Sequence, residues 1–419
     1  MIGIIDCNNF YVSCERAFDP SLKNVPVIIY SNNDGAVIAR SEEAKAVGIG
    51  MAVPMHRVKQ LMKQHNVKGF SSNYTLYGDM SSRIKSITRN FFAAVEDYSI
   101  DESFVSCDNL KCANLFDYVK DAQDSISRWS GVPVSIGVAE TKTLAKLANR
   151  MVKKQFREKG VYIIDTEEKR IGALKATDVH AVWGIGRRIA TKLNDKGIFT
   201  AYDLSLVDTD WAKANFSVVF QRTVYELKGV SCIPLELKQP GKQFIASQKS
   251  FGQFQTEFKP MAEALATYTT RVAEKLRRQK CVAGGIAIWL GTNNFSKTDK
   301  QYFPKIHTVC DIPTDYTPYL IKRAIEGLNV IYDKSYIYKR VGVMLTDIRH
   351  KSDGTLNLFY EQSRSKEITI INKVDHINRL NGRDTVRSSA QGFEDDWRMK
   401  QENLSQFYTT RLSDIIEIK

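Results

Sequence analysis

Residues 2–15 read IGIIDCNNFYVSCE, and this stretch decides the fold class. Its first five residues are a short apolar run typical of a buried strand, and the residues after Cys7 have the spacing of a helix. The run ends on Asp6, so this carboxylate is expected at the edge of a sheet, where α/β sites usually lie. Further on, YSIDESFVSC (residues 98–107) alternates apolar and polar residues as a strand does. The pattern therefore predicts an α+β fold.

Three carboxylates arrive from these two predicted strands, Asp6 from the first and Asp101 with Glu102 from the second. If the strands are neighbours in one sheet, the acids converge, and like charges so close together are costly unless cations join them. Mg²⁺ takes oxygen ligands of this kind, and two ions about 3.5–4 Å apart would clamp both oxygens of a phosphoryl transfer. A solvated strand edge is the alternative interpretation, and the six histidines form no competing metal cluster.

The composition is that of an ordinary globular protein, with 419 residues, 43% hydrophobic and 26% charged, which excludes collagen-like and disordered chains. No apolar run reaches the roughly 18 residues of a transmembrane helix. The N-terminus has no basic segment and soon meets Asp6, unlike a signal peptide. Seven cysteines without a CxxC pair favour a reduced, cytoplasmic protein that has no structural zinc site.

The chain carries a net charge of +13, which indicates a polyanionic partner. Residues 238–300 concentrate it, with eleven Lys or Arg against four acids. Lys249, Arg277 and Arg278 belong to this segment, and aromatic and amide side chains lie between its basic residues. A solvated helix face is the alternative for residues 271–280, but in so basic a segment we favour binding to a nucleic-acid backbone.

Residues 184–188 read GIGRR, and the chain around them is predicted to be helical from about 175 to 230. Gly184 and Gly186 allow a tight turn between two short helices, as in a helix-hairpin-helix, whose turn amides bind a backbone phosphate. Arg187 and Arg188 add positive charge at that place. A simple turn between helices is the alternative.

The other segments are assigned more coarsely. Residues 73–95 and 142–155 have helical patterns, and residues 238–242 read as a linker. Residues 244–350 alternate strands with two helices, and a polar, partly helical tail follows.

Three ordered motifs, DCNNFYVSCE (6–15), YSIDESF (98–104) and SIGVAETKTLAKLAN (135–149), resemble those of the Y-family translesion DNA polymerases. The variant is the UmuC type, the catalytic subunit of bacterial DNA polymerase V and its plasmid-borne relatives, and the resemblance covers most of the chain. It implies a multidomain right-hand polymerase with four parts: a palm at 1–170 with small fingers inserted at about 21–71, a helical thumb at 171–232, an α+β little finger at 243–350, and a clamp- and partner-binding tail at 351–419.

The resemblance also implies roles for single residues. The metal-binding set matches Asp6, Asp101 and Glu102, with the Cys7 backbone carbonyl as a further ligand, and two Mg²⁺ ions are the expected cofactor. Tyr11 matches the steric gate beneath the sugar of the incoming nucleotide, where a ring leaves no room for a 2′-hydroxyl. A core aromatic of the helix is the alternative for Tyr11.

Two lysines match residues that contact the triphosphate of the nucleotide. Lys142 matches one directly. In the fingers, Lys45 matches an arginine of DinB-type relatives, whereas Ala39 stands where those often have Thr.

The function implied is translesion synthesis in SOS mutagenesis and DNA repair, with primer-template DNA and dNTPs as substrates. A UmuD-like processed dimer and RecA are the partners that the resemblance implies. Residues 355–359, TLNLF, look like a sliding-clamp-binding peptide through Leu356, Leu358 and Phe359, although Thr355 replaces the usual Gln; a strand edge is the alternative. A catalytically silent DNA-binding accessory protein is the alternative function, and a metal-dependent nuclease would not need a steric gate.

Overall fold

The computed structural model describes residues 1–108, 110, 112–238, 240–353, 361–393 and 396–416. The chain forms two compact units. Unit 1 comprises Met1–Ser31, Ala36–Gln239 and Asn403–Lys419, and unit 2 comprises Asn32–Gly35 and Pro240–Glu402. The tail predicted as one region after residue 350 is therefore divided between the two units.

Unit 1 is built on two sheets. Its described strands are β1 (Ile2–Cys7), β2 (Val27–Tyr30), β3 (Val37–Arg40), β4 (Lys68–Ser71), β5 (Val95–Asp97), β6 (Glu102–Ser106), β7 (Val134–Ala139) and β8 (Val161–Ile163). Its described helices are α1 (Phe10–Phe18), α2 (Glu42–Ala46), α3 (Met55–Gln64), α4 (Tyr74–Phe91), α5 (Leu115–Ser130), α6 (Lys142–Gln155), α7 (Glu167–Lys175), α8 (Arg187–Asn194), α9 (Ala201–Leu206), α10 (Thr209–Asn215) and α11 (Val218–Leu227). The larger sheet has the order β5-β6-β1-β7-β8, and the smaller one has the order β3-β2-β4.

Strand β1 lies at the centre of the larger sheet, with β6 and β7 antiparallel on its two sides. Successive side chains point to opposite faces of a strand. Ile4 accordingly packs in a core with α6, whereas Ile5 packs in a second core with α1, α4 and α5. Because helices cover both faces of the sheet, residues 2–5 of β1 are apolar. Asp6 follows them near the C-terminal end of the strand, and so lies at one end of the sheet.

Helix α6 lies close against β7 because Gly137 has no side chain. A Cβ atom at Gly137 would lie 2.1 Å from the backbone nitrogen of Asn149. Strand β7 runs opposite to β1 and pairs Ala139 with Ile2 and Ser135 with Asp6. Helix α6 therefore runs toward the Asp6 end of the sheet, where Lys146 in its second turn contacts Glu102 and Lys153 in its last turns contacts Asp6.

Two of the predicted boundaries were wrong. The helix predicted over 73–95 ends at Phe91, and Val95–Asp97 forms the short strand β5. Asp101 lies in the turn before β6 rather than inside a strand. A three-residue strand and a turn of this kind leave too short a pattern to separate them from their neighbours.

Unit 2 is a four-stranded antiparallel sheet covered by helices. The described elements are β9 (Ile245–Gln255), α12 (Phe258–Arg278), β10 (Cys281–Gly291), β11 (Lys305–Thr314), α13 (Thr317–Ile331), β12 (Tyr338–His350) and α14 (Glu361–Asn381). The strand order is β11-β10-β12-β9, and apolar residues of α12 and α13 pack with the sheet in one core. No helix in the described residues of either unit is long and apolar enough to cross a membrane.

Candidate active site

The predicted carboxylates lie side by side at the end of the larger sheet where β1 finishes, and we call this place the carboxylate edge. Asp6 of β1 stands directly opposite Glu102 of β6 in the strand register, and the backbone N–H of Cys7 donates to the carbonyl of Asp101 across 2.9 Å. The Ser99 hydroxyl donates to Asp101 Oδ1 (2.6 Å) and accepts from the Glu102 N–H (3.0 Å). The sheet therefore brings Asp6 beside Asp101 and Glu102, an adjacent pair that lies far from it in the sequence.

Helix α6 provides cations to this edge. Lys153 Nζ lies 2.7 Å from Asp6 Oδ2, and the Asn149 amide donates to the same oxygen across 3.2 Å. Lys146 Nζ lies 2.9 Å from Glu102 Oε1. Residues three and four positions apart share a helix face, so a single face of α6 carries all three contacts. Lys146, Asn149 and Lys153 were not singled out from the sequence.

The environment of Asp6 shows that negative charge is crowded here. Burial raises the pKa of Asp6, the nearby Lys153 opposes that rise, and the charges of Glu102 and Asp101 add to it. Burial and the charges of Asp6 and Asp101 raise the pKa of the Cys7 thiol, so its sulfur stays protonated and is no ligand for a hard cation. This agrees with an assignment of the Cys7 carbonyl, rather than its side chain.

The donor set suits a hard divalent cation by its chemistry, since it consists of carboxylate oxygens whose mutual repulsion a cation would relieve. In the described residues no group of three His, Cys, Asp or Glu side chains converges as a ready ligand set. The Asp6 carboxylate forms an ion pair with Lys153 and the Glu102 carboxylate with Lys146, so these two acids face lysines rather than each other. Lysine ammoniums thus balance the charge of this edge.

Tyr11 lies on α1, half-buried beside the carboxylate edge. Its ring stacks on that of Tyr77 with centroids 4.5 Å apart and meets Tyr74 edge-on at 6.0 Å. Burial, with smaller effects of Tyr74 and Asp101, raises the pKa of Tyr11 to about 12. The hydroxyl is therefore neutral at physiological pH, and the ring is held by other aromatics close enough to sense the Asp101 charge.

A polar cavity of about 160 Å³ adjoins the carboxylate edge. Lys45, at the C-terminal end of α2, and Lys153 both line it, together with Asn8, Asn9, Glu42, Ser135 and Arg157. Lys45 Nζ also donates to Asn9 Oδ1 across 2.9 Å, and Arg157 pairs with Glu42 at 3.3 Å. The structure thus brings Lys45 to the site and adds Arg157, which sequence reasoning missed.

Lys142 lies elsewhere. It is the first residue of α6, and its side chain is 2% exposed and forms an ion pair with Glu96 of β5 at 2.5 Å. Its ammonium also lies 4.9 Å from the centre of the Phe104 ring. The structure does not bring the Lys142 ammonium to Asp6, because its ion pair with Glu96 holds it level with Phe104, one turn of α6 before Lys146.

The predicted phosphate-binding turn is present in unit 1. Gly184 has φ +85°, a left-handed value that favours glycine, and Gly186 precedes the first turn of α8. Arg187 and Arg188 are both exposed at that helix start. The first helix of the pair is only a 3₁₀ turn, Val179–Ala181.

Unit 2 contains a crowded group of cations. Burial and the charges of Arg271, Arg383, Arg398 and Lys275 lower the pKa of Lys249. The pKa of Lys275 is lowered by burial and then by Lys242, Arg383 and Arg278. We call these seven residues the basic cluster; its members on the tail, Arg383 and Arg398, were missed from the sequence.

Arg277 is not part of that surface. Its side chain is 6% exposed and forms an ion pair with Asp375 of α14 at 2.6 Å. It also donates to the carbonyl of Asp315 and the hydroxyl of Thr317. Arg277 therefore joins α12 to α14 inside unit 2, and its assignment as a DNA contact finds no support in this geometry.

The architecture described above is shared with solved polymerases. A Y-family DNA polymerase chimera, Dbh-Dpo4(243-245)-Dbh, superposes with a TM-score of 0.69 at 19% sequence identity, over 84% of this chain and 100% of that one. The fold is thus that of a Y-family DNA polymerase.

Sequence comparison narrows the class. Residues 5–150 match the impB/mucB/samB family, residues 242–358 match its C-terminal domain, and residues 369–418 match a domain of unknown function, DUF4113. Protein UmuC of Salmonella typhimurium (strain LT2) is 38% identical over the full length of both chains. DNA polymerase IV of Bacillus velezensis is 25% identical over 92% of each. The chain belongs to the impB/mucB/samB family, which confirms the UmuC-type resemblance of its motifs.

Proposed function

We propose that this protein is an error-prone translesion DNA polymerase that adds dNTPs to a primer by two-metal nucleotidyl transfer. The observation that carries the proposal is the edge where Asp6 and Glu102 stand in register beside Asp101. In this assignment the larger sheet of unit 1 is the palm, the smaller sheet the fingers, α8 to α11 the thumb, and unit 2 the little finger.

The carboxylates would hold the metals. Asp6, Asp101, Glu102 and the Cys7 carbonyl are the proposed ligands, and crowded acids of this kind favour cation binding. Two Mg²⁺ ions, when bound, neutralise developing charge on the attacking and leaving oxygens of a phosphoryl transfer. Family membership supports a divalent metal requirement in general, and the number of ions is our proposal.

The cations around the polar cavity would bind the triphosphate. Lys153 belongs both to this cavity and to the carboxylate edge, so its ammonium can contact a phosphate beside the reacting centre. Lys45 and Arg157 line the same cavity and can hold the outer phosphates. Holding the nucleotide at several points positions its α-phosphate for attack by the primer.

The ring of Tyr11 would exclude ribonucleotides. It is half-buried, stacked on Tyr77 and close to Asp101, so a sugar placed over the carboxylates would rest on it. A 2′-hydroxyl would then meet the ring, and the fully buried Tyr77 behind it would limit how far the ring can move away.

DNA would be bound by two groups of residues, one in each unit. The turn from Gly184 to Arg188 offers backbone N–H groups and two exposed guanidiniums in unit 1. After burial, the neighbouring cations of the basic cluster lower the pKa of Lys249 and Lys275, and a phosphate backbone would offset that repulsion. Lys249 and Arg278, predicted from the sequence, belong to it.

The partners remain proposals that rest on family membership. They are a sliding clamp, a UmuD-like processed dimer and RecA. The clamp-peptide residues Leu356, Leu358 and Phe359 lie outside the described residues, so their role remains a prediction. All seven cysteines are free thiols, which is compatible with the proposed cytoplasmic location.

Primer extension on a lesion-containing template, with Mg²⁺ and dNTPs, tests the proposal. Extension past the lesion supports a translesion polymerase, degradation of the primer would indicate a nuclease, and binding without either would indicate a silent accessory protein. Glu102→Gln is the control that should remove extension and leave binding intact.

A further inference from the structure

The support of the Tyr11 ring continues beyond Tyr77. Tyr77 is fully buried on α4, and its hydroxyl donates to Glu15 Oε1 across 2.6 Å. Glu15 is 1% exposed and lies one helical turn after Tyr11 on α1. A buried carboxylate therefore holds the hydroxyl of the tyrosine on which the Tyr11 ring stacks.

The same carboxylate oxygen also accepts from the C-terminal segment. Ser405 Oγ donates to Glu15 Oε1 across 3.1 Å. Burial raises the pKa of Glu15, and the hydrogen bonds from Tyr77 and Ser405 oppose that rise because they stabilise the ionised form. The pairing of a buried charge with two hydroxyls fixes all three side chains relative to one another.

Residues 403–408, which we call the clasp, are anchored to unit 1 at both ends. Asn403 exchanges two hydrogen bonds with Ser71 at the end of β4, at 2.9 and 3.0 Å. At the other end, the Tyr408 ring stacks on Phe18 of α1, with centroids 5.0 Å apart and planes 5° from parallel. The clasp thus connects the end of β4 with the helix that carries Tyr11.

The clasp also holds the helix that carries Tyr77. The Asn73 side chain caps α4 by accepting from the Leu76 N–H (3.1 Å), and its amide donates to Ser405 Oγ (3.0 Å) and to the carbonyl of Gln406 (3.2 Å). Asn73 is 1% exposed. A displacement of the clasp would therefore disturb the cap of α4 and the hydrogen bond at Glu15 together.

We propose that the clasp sets the sugar selectivity of the polymerase, with Ser405, Glu15 and Tyr77 acting as positioning residues for the Tyr11 ring. The inference rests on the proposed gate role of Tyr11 and deepens it. None of the three side chains is assigned a contact with the nucleotide. They determine how far the ring can retreat when a 2′-hydroxyl presses on it, and this gives the C-terminal segment a role in substrate choice.

Single-nucleotide insertion by the full-length protein tests this inference. The kcat/KM for dCTP and for rCTP opposite a template dG is measured for Tyr77→Phe and Ser405→Ala, each of which removes one hydroxyl and keeps the remaining shape. We expect the dCTP/rCTP selectivity to fall about fivefold or more, the scale of one lost hydrogen bond, while kcat/KM for dCTP stays within about twofold of the unaltered protein.

Three variants serve as controls. Ser405→Thr retains a hydroxyl and should keep the selectivity. Ser413→Ala makes the same chemical change further along the segment, where the serine hydroxyl donates to the neighbouring Asp414, and should leave the selectivity unchanged. In the Tyr77→Phe background, Ser405→Ala should lower the dCTP/rCTP selectivity little further, because both hydroxyls act through the Glu15 carboxylate.

The outcomes separate the clasp from the gate. If Tyr11→Ala itself leaves the selectivity unchanged, the gate role is wrong and the clasp inference falls with it. If Tyr11→Ala admits rCTP while folded Tyr77→Phe and Ser405→Ala proteins discriminate normally, the clasp inference alone is overturned. It is also overturned if these two variants lose kcat/KM for dCTP and rCTP by the same factor, since the clasp would then only stabilise the fold.

Discussion

Lys153 on helix α6 and Asp6 at the end of strand β1 form an ion pair of 2.7 Å. Asn149, one helical turn earlier, donates to the same carboxylate oxygen. The pair joins the carboxylate edge to the cavity in which the triphosphate is proposed to lie. We therefore expect the Lys153 ammonium to bind the triphosphate of the incoming nucleotide.

We expect Lys153→Met to raise KM for dNTPs about tenfold to a hundredfold, the scale of a lost hydrogen bond to a charged group. Stability should fall modestly, because the mostly buried Asp6 loses a cation that offsets its burial but keeps the hydrogen bond from Asn149, and Lys153 itself is 42% exposed. Steady-state insertion kinetics and urea unfolding measure the two effects. An unchanged KM would remove Lys153 from the nucleotide site.

Lys142→Met should show the opposite behaviour. The Lys142–Glu96 pair is almost fully buried, and removal of one partner leaves an uncompensated charge that costs about 3–5 kcal/mol. We expect a clear loss in the free energy of unfolding, with KM for dNTPs retained in the folded fraction. A raised KM without loss of stability would restore the triphosphate contact implied by the motifs.

Asp6→Asn and Glu102→Gln should each reduce primer extension about a thousandfold or more, equivalent to roughly 4 kcal/mol of transition-state stabilisation. Affinity for primer-template DNA should persist, because the proposed DNA contacts lie elsewhere. Asp97→Asn is the matched control, since Asp97 lies on β5, the neighbour of β6, and pairs with Arg89 of α4. Near-normal extension by both site variants would show that the two-metal assignment is wrong.

Lys275 and Arg277 lie two positions apart on α12 and should respond differently to replacement by Ala. Lys275→Ala removes one member of the basic cluster, so the slope of log K for DNA binding against log salt should fall in magnitude by about one. Arg277→Ala breaks the contact with Asp375 and should lower stability instead. Binding isotherms at several salt concentrations and thermal unfolding distinguish the two, and equal salt slopes would contradict the assignment.

The Glu15 carboxylate should make stability depend on pH. Burial raises the pKa of Glu15 from its ordinary value of 4.5, so the folded state binds the proton more tightly than the unfolded state does. Its stabilising contribution is present below the unfolded pKa and is lost as the pH rises through the folded pKa. Glu15→Gln, which keeps an acceptor oxygen and cannot titrate, should therefore gain stability relative to the unaltered protein as the pH rises through that window.

Urea unfolding of the two proteins at a series of pH values from 4 to 8 measures this difference. The titratable groups that sense Glu15 are Cys14 and Asp19 from its own region of the chain, Tyr77 on α4 and Tyr408 in the clasp. The thiol and both phenols stay neutral over this range because their pKa values are raised. A difference that stays constant with pH would show that Glu15 titrates normally.

The carboxylate edge could be predicted from the sequence because short, local patterns mark the two strands that carry its acids. A buried apolar run that ends on Asp6 and an acidic pair beside a second strand require only strand patterns and one assumption about pairing. The register of β1 with β6 supplies that pairing. The bounds of α6 were likewise predicted correctly, because its apolar and basic residues alternate with a clear helical period.

The position of Lys142 could not be judged from the same information. Lys142, Lys146 and Lys153 all lie toward one face of the helix, so periodicity treats them alike. What separates them is their distance along the axis, about 16 Å from Lys142 to Lys153 at 1.5 Å per residue. Which end of α6 reaches Asp6 depends on the antiparallel pairing of β7 with β1, a long-range fact that no local pattern contains.

The clasp has a consequence for the order in which the protein matures. Unit 1 comprises Met1–Ser31 and Ala36–Gln239, but it also includes the clasp residues, which follow Glu402. A ribosome translates all of Pro240–Glu402 before Ser405 exists, so the partner of Glu15 arrives last. Until then the Glu15 carboxylate has only Tyr77 of its two hydroxyl donors. A nascent chain stalled before residue 403 therefore contains every proposed metal ligand but lacks the residue that completes the support of Tyr11.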